Sequence, residues 1–174
     1  METAPIKTKL HTTALGYARY GFPIFPLAPP SKKPLAGSHG FEDATSDLKA
    51  IETWWSQNPE CNIGLSLGPA KRLLLDLDYR HSPTIQNRSD FVERYGPIPD
   101  NACEAISGSG GRHVYFDFEG QVPAELEPGV ELKCQGSYSV LPPSIHPAYI
   151  PPRYFGWEAY TGTTGLAPVQ RTAI

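Results

Sequence analysis

The sequence predicts an α+β domain, and three observations carry that expectation. Apolar residues recur at helical spacing in the first half of the chain. Short runs of alternating or wholly apolar residues, the mark of strands, dominate the second half. The 19 prolines and 16 glycines are scattered between these runs as turn punctuation and do not gather into one tract.

Taken in order, residues 1–8 read as a loose tail. Leu10, Ala14, Leu15 and Ala18 then mark a helix from Leu10 to Tyr20 that stops at Gly21. Phe22 to Leu27 is a short apolar strand, and its prolines place it at a sheet edge. A polar loop from Ala28 to Thr45 carries Lys32, Lys33, Gly37 and Gly40. Asp47 can cap a second helix with Leu48, Ile51 and Trp54–Trp55 on its buried side and Pro59 beyond its end. The Trp pair at that spacing belongs to a core more often than to a base-stacking surface.

Asn62 to Leu67 and Arg72 to Asp78 are strands. Ser82-Pro83 opens a third helix, containing Ile85, Phe91, Val92 and Tyr95 and ending at Gly96-Pro97. Cys103 to Ser107, His113 to Phe118, Val130 to Leu132 and Tyr138 to Leu141 are further strands, and Phe155 to Tyr160 holds a last one. Residues 161–174 read as a linker or tail, which leaves one domain over residues 1–160.

The length of 174 residues suits one domain with a substantial core. Cys61, Cys103 and Cys134 have neither zinc-ligand spacing nor a disulfide pattern, as expected of thiols in a reducing cytoplasm. The expected location is cytoplasmic, with no membrane partner, because no apolar stretch could span a bilayer and no signal peptide opens the chain. A net charge of −3 is unusual for a tight nucleic-acid binder.

Five features could carry chemistry. In Asp76-Leu-Asp78 the two carboxylates point the same way from a strand preceded by three leucines. Such a pair repels, so its pKa values rise unless a cation neutralises it. Mg²⁺ or Mn²⁺ suits oxygen ligands and bridges carboxylates to phosphates. An isolated Asp-x-Asp is more often a solvated strand end. Ser107-Gly-Ser-Gly-Gly-Arg-His113 places small residues before a strand, where backbone N–H groups, Arg112 and His113 could meet phosphate. The same pattern also suits a flexible hairpin. Glu131 is a single acid among apolar neighbours. Leu141-Pro-Pro-Ser-Ile-His146 reads as a rigid corner in which Ser144 or His146 could face a ligand. Lys32-Lys33 is a basic loop open to a template or phosphate contact.

None of these is specific alone, but their order is. The succession Tyr17-Ala-x-x-Gly21-Phe-Pro-x-Phe-Pro, Lys33-Pro-Leu, Gly40-Phe-x-Asp-Ala-Thr45, Ile51-x-x-Trp54-Trp55, Asn62-Ile-Gly, Leu75-Asp-Leu-Asp78, Ser107-Gly-Ser-Gly-Gly-Arg-His113 and Tyr138-x-Val-x-Pro142-Pro-Ser closely resembles the bifunctional primase–polymerase (prim-pol) family of the archaeo-eukaryotic primase superfamily. The resemblance runs from about residue 12 to about residue 150. It implies an N-terminal α/β unit packed on an RRM-like sheet, with the active-site cleft between them.

It also implies a DNA-templated nucleotidyltransferase, a primase or DNA polymerase of plasmid, phage or prophage type. Asp76, Asp78 and Glu131 would hold Mg²⁺ or Mn²⁺ for two-metal-ion transfer to a 3′-hydroxyl. His113 would contact the nucleotide's phosphates, with Ser107, Ser109, Gly110, Arg112 and Lys133 around the triphosphate. Expected partners are a DNA template and primer, dNTP or NTP, and a replicative helicase domain or protein.

Two departures stand out. Glu131 falls where the family most often has aspartate, and Glu131-Leu-Lys133 replaces its usual Asp-x-Arg. Lysine keeps the charge and loses the bidentate fork. The rival reading is a non-catalytic nucleic-acid-binding module on the same fold, favoured by the net charge and these departures. A metal-dependent phosphohydrolase would explain Asp76 and Asp78 but not the order of the other motifs.

Overall fold

The computed structural model describes residues 8–100, 102–147, 153–154 and 156–157. Three α-helices, α1 (Lys9–Arg19), α2 (Leu48–Gln57) and α3 (Arg88–Tyr95), combine with eleven described strands. The strands are β1 (Ile24–Leu27), β2 (Asn62–Ser66), β3 (Arg72–Leu77), β4 (Cys103–Ile106), β5 (Arg112–Asp117), β6 (Glu125–Glu127), β7 (Val130–Lys133), β8 (Tyr138–Leu141), β9 (Ile145–His146), β10 (Arg153–Tyr154) and β11 (Gly156–Trp157). The α+β expectation holds.

Each helix begins where a side chain satisfies open backbone donors. Thr8 accepts from His11 N, Asp47 from Ala50 N, and Asn87 from Ser89 N and Asp90 N. Helix α1 buries Leu10, Ala14, Leu15, Tyr17 and Ala18, and α2 buries Ile51 and Trp55. Trp55 is wholly enclosed, with its indole N–H donating to Cys61 O at 3.0 Å, so it is core and not a stacking platform. Helix α3 starts later than Ser82-Pro83 predicts. Ser82 Oγ accepts from Thr84 N and Ile85 N and closes a local turn, so Ile85 precedes the helix and Asn87 caps it. Its end at Gly96, with φ of 95°, is as expected.

Two sheets matter for the site, and their pairings are all antiparallel. The smaller has the order β1-β2-β8, with β1 at the edge as its prolines require. The larger has the order β11-β4-β5-β3-β7-β6. Strands β6, β9 and β10 were not anticipated. Gly156–Trp157 falls inside the strand expected over Phe155 to Tyr160; the rest of that strand and the expected tails at residues 1–7 and 161–174 lie outside the described residues.

Strand β3 divides the interior by alternation. Leu75 and Leu77 join Val114, Val130, Ile85 and Phe91 on the α3 face. Leu74 joins Cys103, Ala105 and Tyr115 on the other face, in one core with α1, α2 and the small sheet. Arg72, Leu74 and Asp76 therefore share the face turned toward the small sheet. Tyr115 ties the two sheets together, its hydroxyl donating to Ser139 Oγ of β8 at 3.2 Å.

Candidate active site

The site forms because three neighbouring strands hold their polar residues at one level. Asp76 on β3 pairs with His113 on β5 and, on its other side, with Glu131 on β7. Directly opposed residues project from the same face, so His113, Asp76 and Glu131 form a row across the sheet. Lys133, two residues after Glu131, projects from that face too. Its Nζ lies 2.7 Å from Asp76 Oδ2 and 2.8 Å from Glu131 Oε2. His113 Nε2 lies 3.5 Å from Asp76 Oδ1, and its Nδ1 is 3.4 Å from the Tyr115 hydroxyl.

A cavity of about 380 Å³ opens over this row, lined by Asp76, His113, Lys133, Lys32 and the chain from Gly136 to Val140 among others. Glu131 stands at its border, half exposed and held by Lys133. Two ammonium groups and an imidazole thus surround one carboxylate. Burial holds the His113 imidazole below its usual pKa, against the pull of Asp76. Burial also lowers Lys32. For Lys133 burial acts downward, but Asp76 and Glu131 outweigh it and the ammonium sits above its usual range.

Asp78 lies just past the end of β3 and takes a different set of partners. Its carboxylate accepts from Arg80 Nε at 3.1 Å and Arg80 Nη2 at 3.0 Å, and is 3.0 Å from His81 Nδ1. Burial raises its pKa, but these bonds outweigh it and the carboxyl falls below the usual range. Both aspartates thus have cations at hand.

The glycine-rich turn folds tightly against the end of β3. Gly111 lies so close to Leu77 O that a Cβ there would collide with it. Ser107 Oγ accepts from Gly111 N at 3.1 Å and lies 2.8 Å from Ser109 Oγ. Gly110 N donates to Ser107 O at 2.9 Å, and Gly110 takes a positive φ of 87° that suits glycine. The N–H groups of Gly110 and Gly111 are therefore used within the turn.

The other expected residues are not brought together. Arg112 alternates with His113 and so faces α3, where its guanidinium donates to Glu104 at 3.1 Å. Ser144 is enclosed and accepts from Ile63 N at 2.9 Å, a structural role. Lys33 is exposed in the loop before Pro34 and does not line the cavity. Sequence reasoning missed Arg80, His81 and Tyr115. Tyr115 was legible in principle, since it sits two residues after His113 on the same strand face.

Among the described residues, no group of three or more His, Cys, Asp or Glu side chains gathers as a ready metal cage. The donor set nonetheless suits a hard cation. One oxygen each from Asp76 and Glu131 converges on Lys133 Nζ, and carboxylate oxygens are the donors such a cation takes.

An acidic row with basic neighbours thus lies between two antiparallel sheets of an α+β domain. The profile of the family described as "Bifunctional DNA primase/polymerase, N-terminal" matches residues 14–164, and the chain belongs to that family. Membership implies DNA primase or polymerase activity in general, acting on DNA and nucleotides. No curated protein matches the chain. No helix among the described residues is long and apolar enough to cross a membrane.

Proposed function

We propose that this chain is a metal-dependent, DNA-templated nucleotidyltransferase whose reaction site is the row His113–Asp76–Glu131. The carrying observation is the register of β3 with β5 and β7, which sets these three residues side by side, Asp76 and His113 lining one cavity and Glu131 joined to it through Lys133. The central position of β3, with the small sheet across the cavity, also favours the primase-superfamily core and a cleft between its two parts.

Asp76 and Glu131 would hold Mg²⁺ or Mn²⁺, with Asp78 joining if Arg80 and His81 release it. Such an ion supplies charge neutralisation for phosphoryl transfer. The chain's own groups do the rest. Lys32 and Lys133 place positive charge where a triphosphate would lie. His113, neutral at pH 7, brings an imidazole N–H within reach of a phosphate oxygen, and Tyr115 fixes the ring. Catalysis here is positioning and charge balance. A replicative helicase, as a fused domain or a separate protein, is the further partner this reading calls for.

The test is incorporation of a dNTP onto a primed template with Mg²⁺ or Mn²⁺, scored by release of pyrophosphate. Loss of incorporation in Asp76→Asn supports the site. Release of inorganic phosphate in place of pyrophosphate would point to hydrolysis instead. A second reading, a non-catalytic nucleic-acid-binding module, is favoured by Lys133 filling the space between the two carboxylates. Template binding indifferent to chelator, with no incorporation under either metal, would select it.

A further inference from the structure

A second and larger cavity, of about 570 Å³, lies along the same sheet face. It shares Phe41 and Gly136 with the cavity over Asp76, so the two adjoin, and we treat them as two halves of one groove. Arg72 lines this half, while Leu74 and Asp76 line the other. Alternate residues of β3 from Arg72 to Asp76 thus floor the groove over roughly 13 Å.

The two halves differ in chemistry. The Asp76 half carries Lys32, Lys133 and His113. The second half has no such excess of positive charge. Its Lys71 pairs with Glu119 at 2.9 Å, its Arg72 pairs with Asp117, and Glu42 adds a further carboxylate. It offers the Phe118 ring and the Gln135 amide, with Phe41, which stacks on Tyr138, at the boundary between the halves.

Phe118 is partly buried and, among the described residues, joins none of the three hydrophobic clusters. Its main chain is held in place. Phe118 N donates to Lys71 O at 3.0 Å, and Lys71 holds a left-handed φ of 53° that side chains rarely adopt. Strain of this kind persists where the surroundings enforce it.

We propose that this second cavity is a nucleobase subsite. It receives the base of the nucleotide whose phosphates lie at the Lys32–Lys133 end, an inference that rests on the reaction site proposed above. A nucleotide has one strongly anionic end and one flat, uncharged, hydrogen-bonding end, and the groove has the same polarity. Aromatic faces bind any base by stacking, and an amide adds a donor and an acceptor.

Calorimetric titration of the full chain with dATP and with inorganic tripolyphosphate separates the two ends. Phe118→Ala is expected to weaken dATP by roughly tenfold, the scale of one lost base stack, and to leave tripolyphosphate unchanged. Phe118→Leu, which keeps apolar bulk without a ring, should show the same selective loss at an unaltered melting temperature. Lys133→Ala should weaken both ligands. Unchanged dATP affinity in both Phe118 variants, or an equal loss for tripolyphosphate, overturns the subsite while the reaction site stands. If an oligothymidylate strand alone loses affinity in these variants, the cavity serves the template and the assignment to the nucleotide fails. If wild type binds neither ligand, the reaction site fails and the subsite with it.

Discussion

The carboxylate of Asp76 and the imidazole of His113 stand directly opposite one another on β3 and β5, with Oδ1 and Nε2 3.5 Å apart. The pair sits beneath a cavity with a lysine on either side, and its members come from strands far apart in sequence. Each prediction below tests one part of that arrangement.

His113 should make stability depend on pH. Burial holds its folded pKa below 6.5. The unfolded chain then takes up a proton that the native chain refuses as pH falls below that value. Stability from this group is therefore present above about pH 6.5 and is lost as pH falls through the range between the unfolded and folded values. His146 is shifted the same way and adds to the trend. Melting temperatures from pH 8 to pH 5 (~) should fall more steeply for wild type than for His113→Gln. Equal slopes would show that the imidazole is not held neutral.

Lys133 should compete with divalent cations. Its Nζ joins Asp76 to Glu131, so a metal held by both must displace it. Lys133→Met is expected to bind Mn²⁺ roughly tenfold more tightly, the scale of one charge-assisted hydrogen bond, while binding nucleotide less well. Electron paramagnetic resonance of free Mn²⁺ measures the first effect, and unchanged or weaker metal binding would contradict it.

Gly111→Ala tests the seat of the glycine-rich turn. A Cβ would meet Leu77 O, so the turn must shift at the point where β3 delivers Asp76 and Asp78. Denaturant unfolding should show a loss of about 1–3 kcal/mol, with weaker nucleotide binding. Gly110→Ala should also cost stability, through its positive φ and not through a clash.

The thiols give a control on burial. Cys61, Cys103 and Cys134 are all buried, and burial pushes the Cys61 thiol up to about 11. Iodoacetamide at neutral pH should label none of them in the native chain and all three in denaturant. Rapid native labelling of Cys61 would mean that the α2–β2 corner is open.

How much of this was legible follows from the range of the forces involved. Local patterns were readable: the caps Asp47 and the stop at Gly96, the edge position of β1, and the common face of Leu74 and Asp76 all follow from neighbours in sequence. The start of α3 was misjudged because Ser82 and Asn87 both offer a capping oxygen, and only tertiary packing of Ile85 decides between them. The register that aligns Glu131 with Asp76 is set by pairing between distant strands, and no periodicity in one strand reveals it. The same holds for Lys133, whose two partners come from different strands, and for Arg112, which alternation sends to the α3 face beside Glu104. The family resemblance supplied the grouping that spacing alone did not.

The most direct test of the central claim is primer extension by the Asp76→Ala/Glu131→Ala double variant, run beside wild type with Mg²⁺ and with Mn²⁺. Wild type is expected to incorporate nucleotide, and the folded double variant to lose at least about a hundredfold in rate. Incorporation at the wild-type rate by the double variant would contradict the assignment of this row as the reaction site.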